Sequence, residues 1–311
     1  MPSSDFEFLT VTKRELLAPQ ILSLHLQRAD RSILPPFTAG AHIYVQINDQ
    51  FQRAYSLCGN PANRRRYEIA VKLEPEGRGG SKALYQIAQQ GVQLKVSPPC
   101  NVFELSEDAP HHLLVGGGVG LTPLIAMAYQ LSAERRPFTL LVAAPSVVEL
   151  PFKELLMHSS WPVEICRNPR QALDVAAYLN KLPTGTHVYC CGPEGLIKRV
   201  SAQCCHLPKN CWHEERFSAN EKQVFKGFEL YLSESDRTLQ VEAGNSMLVT
   251  LKQSGIYVES ACEQGICGSC VVPWSDGEPV HRDQCLDEDD RREYIALCCG
   301  SCRSERLTLE L

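Results

Sequence analysis

Several features that would place this chain elsewhere are missing from its 311 residues. No run approaches the roughly 18 apolar residues that a membrane-spanning helix needs. The opening residues, Met1-Pro2-Ser3-Ser4-Asp5, show no charged stretch leading into an apolar core, which predicts a reducing, cytoplasmic location rather than a secreted one. No low-complexity tract or long internal repeat is visible, and aromatic residues are sparse at 7%. With 44% hydrophobic and 22% charged residues, the composition excludes disordered and collagenous classes.

What the sequence has in excess is cysteine, 15 in all. In a secreted chain they would suggest a disulfide framework, whereas clustering at ligand spacing in a reducing compartment points to metal chemistry. Cys262, Cys267 and Cys270 stand at C-x4-C-x2-C spacing, with Cys298 further on. This is the plant-type ferredoxin arrangement: one loop supplies three thiolates and a distant fourth closes a 2Fe–2S site. A zinc site would more usually show paired C-x2-C units. Gly265, Gly268 and Ser269 lie between the ligands, where small residues let backbone amides turn toward sulfur. Cys299 and Cys302 are neighbouring candidates for the fourth position.

Charge and pattern divide the chain. Residues 1–225 carry a net +3 and residues 226–311 a net −8, the asymmetry expected of separate domains. Residues 6–105 alternate short β-rich runs (Ile21–Gln27, Ala41–Ile47, Tyr67–Leu73) with turn signals, predicting an antiparallel barrel or sandwich. A helix is expected near Lys82–Gln89, ended by Gly91. From residue 111 strands and helices alternate. The predicted strands are His112–Val115, Thr139–Ala143 and His187–Cys191, with helices near Leu121–Leu131, Pro151–Met157 and Glu194–Cys204, a doubly wound α/β pattern. Thr122 suits an N-cap there, and Pro123 the first helical position. Ser218–Lys226 reads as a linker, followed by a hairpin (Phe228–Leu232, Thr238–Ala243) and a short helix, Met247–Gln253. The expected domains are 1–106, 107–222 and 226–311.

Three further segments carry chemistry. Arg53-Ala54-Tyr55-Ser56 resembles the R-x-Y-S motif of ferredoxin-reductase-like flavin barrels, which implies a Tyr ring against an isoalloxazine, a Ser hydroxyl within reach of flavin N5 and Arg53 paired with phosphate. Downstream, Gly77-Arg78-Gly79-Gly80-Ser81-Lys82 opens a helix, where backbone amides bind phosphate. Gly116-Gly117-Gly118-Val119-Gly120-Leu121-Thr122-Pro123 departs from the dinucleotide fingerprint G-x-G-x-x-G, yet it follows a strand and opens a helix, so its backbone can approach a pyrophosphate in the same way.

Taken together, the chain resembles the phthalate dioxygenase reductase family, which includes vanillate demethylase reductases. The resemblance rests on R-x-Y-S, on Cys262-Glu263-Gln264-Gly265-Ile266-Cys267-Gly268-Ser269-Cys270, on Gly277-Glu278-Pro279-Val280-His281-Arg282-Asp283 and on the ending Leu307-Thr308-Leu309-Glu310-Leu311. It covers essentially the whole chain, in the order flavin, nicotinamide, ferredoxin. It departs where the family's Ser-Arg pair after the last ligand becomes Gly300-Ser301. The resemblance implies an FMN-binding antiparallel β-barrel, a parallel-sheet NAD domain and a β-grasp (α+β) ferredoxin domain. Counting back from the C-terminus, it implies Cys298 as the fourth ligand. It places the FMN phosphate at Arg78, Gly79, Gly80 and Ser81, with Val71 and Lys72 along the flavin's middle. The nicotinamide would lie near Gly117, Gly118, Gly120, Thr122 and Pro123 and near Cys191, Gly192 and Pro193, with Ser56, Thr122 and Cys191 beside the hydride path. Phe217 would approach the flavin.

FMN is favoured over FAD because no extra segment serves an adenosine half. NADH is favoured over NADPH because no Arg follows Ala143-Ala144-Pro145-Ser146, although Arg167 or Arg170 could approach. The expected activity passes electrons from NADH through FMN and the 2Fe–2S cluster to a Rieske-type terminal oxygenase, with no nucleic-acid or membrane partner. A stand-alone reductase of quinone, ferric or other diffusible acceptors is the second reading, and a non-enzymatic electron carrier the third. Asp287-Glu288-Asp289-Asp290 could steer a basic partner or simply be solvated. His281 and Asp283 are expected to form a structural turn over the cluster or part of a docking surface.

Overall fold

In Ile21–Gln27 the alternate leucines Leu22, Leu24 and Leu26 are fully buried. The computed structural model describes residues 6–48, 51–77, 79–146, 148–167, 173–217, 227–260, 263, 265, 267–283 and 285–311. The chain divides into two compact units, one ending at Arg216 and the other spanning Phe217–Leu311. The expected linker, residues 218–226, lies outside the described residues.

In the first unit, β1 (Glu7–Ala18), β2 (Ile21–Gln27), β3 (His42–Gln46), β4 (Gln52–Ser56), β5 (Tyr67–Lys72) and β6 (Gln93–Val96) form an antiparallel sheet in the order β4-β3-β6-β1-β2-β5. A bridge from Leu57 to Ile69, backed by Cys58 N–H donating to Glu68 O at 2.8 Å, joins the two outer strands and closes the barrel. Leu9, Leu24, Ile43 and Ile69 fill its interior. Helix α1 (Gly80–Ile87) begins two residues before the expected Lys82, because Gly79 at φ 95° turns the chain straight into it.

The same unit continues through β7 (His112–Gly116), a 3-10 turn at Gly118–Gly120, α2 (Leu121–Ala133), β8 (Phe138–Ala143), α3 (Lys153–His158), β9 (Val163–Cys166), α4 (Val175–Leu179), β10 (His187–Cys191), α5 (Glu194–Gln203) and β11 (Trp212–Glu215). The five strands are all parallel, in the order β11-β10-β7-β8-β9. Three elements, β9, α4 and β11, go beyond the sequence reading. Helix α3 starts at Lys153 rather than Pro151, behind Phe152 in a left-handed conformation at φ 58°. Thr122 is not the N-cap of α2: the 3-10 turn has already wound the chain, so Gly120 caps the helix and Pro123 is its third residue. Barrel and parallel sheet meet through Ala18, Ile21 and Ala70 packed with Val119 and Phe152, and Ala39 N–H donates to Gln130 Oε1 at 3.0 Å.

The ends of β7 and β10 approach so closely that only backbone separates their loops. A Cβ on Gly120 would fall 2.4 Å from both N and Cα of Gly192, and one on Gly117 would fall 2.8 Å from Ala143 O. Gly117 N–H donates to Cys191 O at 3.3 Å.

In the second unit, β12 (Phe228–Leu232), β13 (Arg237–Val241), β14 (Val271–Asp276), β16 (Tyr294–Ala296) and β18 (Arg306–Leu309) make a five-stranded mixed sheet in the order β13-β12-β18-β14-β16, while β15 (Pro279–Val280) pairs with β17 (Ser301–Cys302). The parallel β12–β18 pair sits at its centre, and the other pairings are antiparallel. Helix α6 (Met247–Gln253) occupies its expected residues and is capped by Ser246 Oγ, which accepts the Val249 N–H at 3.2 Å. It buries Met247, Leu248 and Leu251 in the unit's core. No disulfide joins the described cysteines, and no described helix is long and apolar enough to cross a membrane.

The two loop glycines separate backbone strain from collision. Gly118 sits at φ 58° with nothing within 4 Å of its missing Cβ, so Gly118→Ala is expected to cost about 1–2 kcal/mol from conformation alone. Gly120→Ala, meeting immovable backbone, is expected to cost clearly more. Urea unfolding of the two variants compares them, and equal losses contradict the contact.

Candidate functional site

The carboxyl ends of the parallel strands set the geometry of the hydride end. Register pairs Cys191 with Gly116 on one side and with Glu215 on the other, so all three stand at one level. At this level the barrel supplies Ser56, the last residue of β4. Its Oγ donates to Glu215 Oε2 at 3.4 Å, and Cys191 Sγ reaches the same oxygen at 3.9 Å. Ser56, Cys191 and Glu215 are all buried. Burial pushes the Glu215 carboxyl up to about 8, opposed by the hydrogen bonds from Ser56 and Cys191. Burial, then the nearby Glu215, pushes the Cys191 thiol well above its ordinary value, so Cys191 is a neutral thiol rather than a thiolate nucleophile.

Around this trio the predicted nicotinamide residues fall together. Gly117 and Gly120 contact the Cys191-Gly192 backbone, while the Cβ position of Gly118 faces open space. Pro193 caps α5. Thr122 is buried and donates its hydroxyl to Val119 O at 2.8 Å; its neighbour Pro123 is buried as well. An open left-handed glycine at the mouth of a strand-to-helix turn fits a pyrophosphate approaching backbone.

The phosphate end of the barrel is equally compact. Arg53, on β4, is 8% exposed. Its guanidinium lies 5.2 Å over the Phe51 ring, and its Nε lies 3.0 Å from where a Gly80 Cβ would be. Arg53 therefore meets the amino end of α1, as a phosphate site requires. Ser81 Oγ accepts the Glu74 N–H at 3.1 Å. Arg78 lies outside the described residues. Ala54 is half-buried, and Tyr55 packs against the barrel core, where burial pushes its phenol up against the opposing pull of Arg53. Val71 turns its side chain into the core, which leaves only its backbone for a ligand; Lys72 is exposed and pairs with Glu74 at 2.6 Å. Phe217 is half-buried at the start of the second unit.

In the second unit the cluster thiols gather around β14 and β16. Cys270 and Cys298 are buried in the same core cluster. Cys267 Sγ lies 3.0 Å from Ser269 Oγ. Cys262 lies outside the described residues, and among the described ones no three Cys, His, Asp or Glu side chains are grouped to hold a metal ion. Thiols gathered in one buried cluster suit a cationic iron centre that would hold them as thiolates. Asp283 backs this loop: a Gly265 Cβ would come within 3.0 Å of its Cα. Its carboxylate accepts the Leu286 N–H at 3.0 Å and lies 3.5 Å from Arg291 Nη2 and 3.7 Å from His281 Nδ1. This is the structural turn expected of His281 and Asp283.

Glu215 is the functional candidate that pattern reading does not single out. Its only signal is a Glu-x-Phe spacing before Phe217, and β11 is too polar to register as a strand.

A family model described as a 2Fe-2S iron-sulfur cluster binding domain matches residues 230–304, and one described as the N-terminal domain of DmmA-like dimethylamine monooxygenase subunits matches residues 92–207. The phenoxybenzoate dioxygenase subunit beta of Ectopseudomonas oleovorans is 37% identical over 299 residues, covering 94% of each chain. The phthalate dioxygenase reductase of Burkholderia cepacia is 34% identical over 319 residues, covering 100% of this chain and 99% of its own. A solved phthalate dioxygenase reductase, described as a modular structure for electron transfer from pyridine nucleotides to 2Fe–2S, superposes with a TM-score of 0.81 at 35% identity and 98% coverage of both chains. Likeness sustained over both compact units settles the family: the chain belongs to the phthalate dioxygenase reductases, NADH-dependent, flavin- and 2Fe–2S-containing oxidoreductases that serve as reductase components of oxygenase systems.

Proposed function

We propose that this chain is the reductase that feeds a Rieske-type terminal oxygenase, with residues 1–106 serving FMN, 107–222 serving NADH and 226–311 serving the cluster. The observation that carries the reading is the convergence of Ser56, Cys191 and Glu215 where barrel and parallel sheet meet, in a chain that also carries cluster thiols. FMN, when bound, supplies the exchange between a hydride from NADH and single electrons for the cluster.

The chain's own residues bind and orient. Arg53, Arg78, Gly79, Gly80 and Ser81 hold the flavin phosphate, Ala54 and Tyr55 flank the ring, and Val71 and Lys72 run beside it by their backbone. Gly117, Gly118 and Gly120 take the pyrophosphate. Thr122, Pro123, Cys191, Gly192 and Pro193 wall the nicotinamide, and Phe217 approaches the flavin. Cys262, Cys267, Cys270 and Cys298 hold the irons. Glu215 keeps a proton at its buried carboxyl, which spares the hydride path a negative charge. From there it can donate to Ser56 Oγ and so free the serine hydrogen for flavin N5. The net −8 of residues 226–311 supports a partner with a basic docking face. The similarity to reductases and subunits of dioxygenases supports an oxygenase as the acceptor.

Three outcomes are expected. Cys267→Ala abolishes cytochrome c reduction while NADH still bleaches the flavin in stopped-flow; retained cytochrome reduction rejects this electron order. Purified reductase oxidises NADH rapidly with a Rieske oxygenase and sluggishly with quinone or ferric acceptors, and the reverse ranking favours a stand-alone reductase. The third concerns pH. The folded value of Glu215, about 8, stands above its ordinary 4.5, so the stability it contributes is whole below 4.5 and is lost as pH rises through 8. Wild-type unfolding free energy should therefore fall across that window, by up to about 1.4 kcal/mol per pH unit, relative to Glu215→Gln. Parallel pH profiles would refute the buried, protonated carboxyl.

A further inference from the structure

The second unit places more sulfur at the cluster loop than four ligands use. Cys299 reaches Gly265, which lies between the first two proposed ligands. A Cβ on Gly265 would stand 2.5 Å from Cys299 Sγ. At φ 73° this residue is glycine for two reasons, its backbone and the sulfur that fills the space beside it. Cys299 Sγ itself donates to Ala296 O at 4.0 Å. Three buried sulfurs, Cys270, Cys298 and Cys299, at 3%, 6% and 8% exposure, thus share one core cluster. A second surplus thiol, Cys285, is half-buried on the other flank, close enough to feel Cys267 and Cys270.

We propose that Cys299 is a reserve ligand of the 2Fe–2S cluster, able to take over the iron corner of Cys298. This rests on the reading that Cys262, Cys267, Cys270 and Cys298 are the resident ligands. In the exchange the Fe–S bond to Cys298 breaks and one to Cys299 forms. The Cys299 proton would pass to the departing Cys298 sulfur, and no iron would change oxidation state. The fourth corner thus has two buried sulfurs adjacent in the chain, and the site would keep four thiolates if one were removed.

The test uses full-length C298A, C299A, C298A/C299A and C298A/C285A, purified without oxygen. Iron, acid-labile sulfide and the paramagnetic spectrum of the reduced protein are measured, with NADH bleaching of the flavin as the folding control. The expected pattern is a native spectrum in C299A, retained iron and sulfide with displaced g values in C298A and in C298A/C285A, and loss of the cluster in C298A/C299A. A C298A protein as empty as C298A/C299A, with flavin bleaching intact, overturns the proposal. So does retention in C298A that depends on Cys285 instead. If C299A alone loses the cluster while C298A keeps a native spectrum, Cys299 is the resident ligand and it is the underlying assignment that fails. Should C298A not fold, C298S and C298S/C299A carry the comparison: differing g values support the exchange, and identical ones place the serine oxygen on iron and refute it.

Discussion

A contact that contains no side chain organises the first unit. Where the loops after β7 and β10 cross, Gly120 lies against Gly192 with room for hydrogen and nothing larger. Because the two loops touch, Gly116, Cys191 and Glu215 finish their strands at one level. Because they finish together, one carboxylate oxygen can receive both Ser56 from the barrel and Cys191 from the neighbouring strand. The raised Glu215 carboxyl follows from that enclosure, where among the described residues a hydroxyl and a thiol oppose desolvation.

The second unit solves a related problem with sulfur instead of carboxylate. Its loop needs backbone amides turned inward, and left-handed positions at Glu263, Gly265 and Gly268 accomplish the turning. Glycine tolerates this freely, whereas Glu263 at φ 52° does not. The Glu263 side chain is tied to Lys252 on α6 at 3.1 Å, so the capped helix braces the loop. Asp283 supports the loop from behind, itself held by Leu286 N–H and Arg291.

How much of this is legible in the sequence depends on whether side chains or backbone carry the signal. Ile21–Gln27 shows its boundaries to the residue because its leucines alternate. The two sheets of the first unit and the grouping of Arg53 with the Gly79–Gly80 turn are legible for a similar reason, since residue types there have few other uses. Thr122 is misleading as a cap because a preceding 3-10 turn leaves no pattern of its own. Val163–Cys166 is only half-buried at the sheet's edge, and Trp212–Glu215 carries two glutamates, so neither resembles a core strand. Glu215 is invisible for the deepest reason: a buried carboxyl is defined by what surrounds it, and two of its partners lie 24 and 159 residues away in sequence.

The polarity that hides β11 also protects the molecule. This strand is one margin of the parallel sheet, and an open margin of unpaired amides and carbonyls invites another chain to add itself. The barrel escapes that hazard by closing on itself. The parallel sheet instead leaves Glu214 partly exposed on its outer strand, paired to Arg216 at 2.7 Å. Any molecule adding a strand there would have to bury that charge pair or break it. The residue next to the hydride site's carboxyl thus serves as a guard against fibrous self-association.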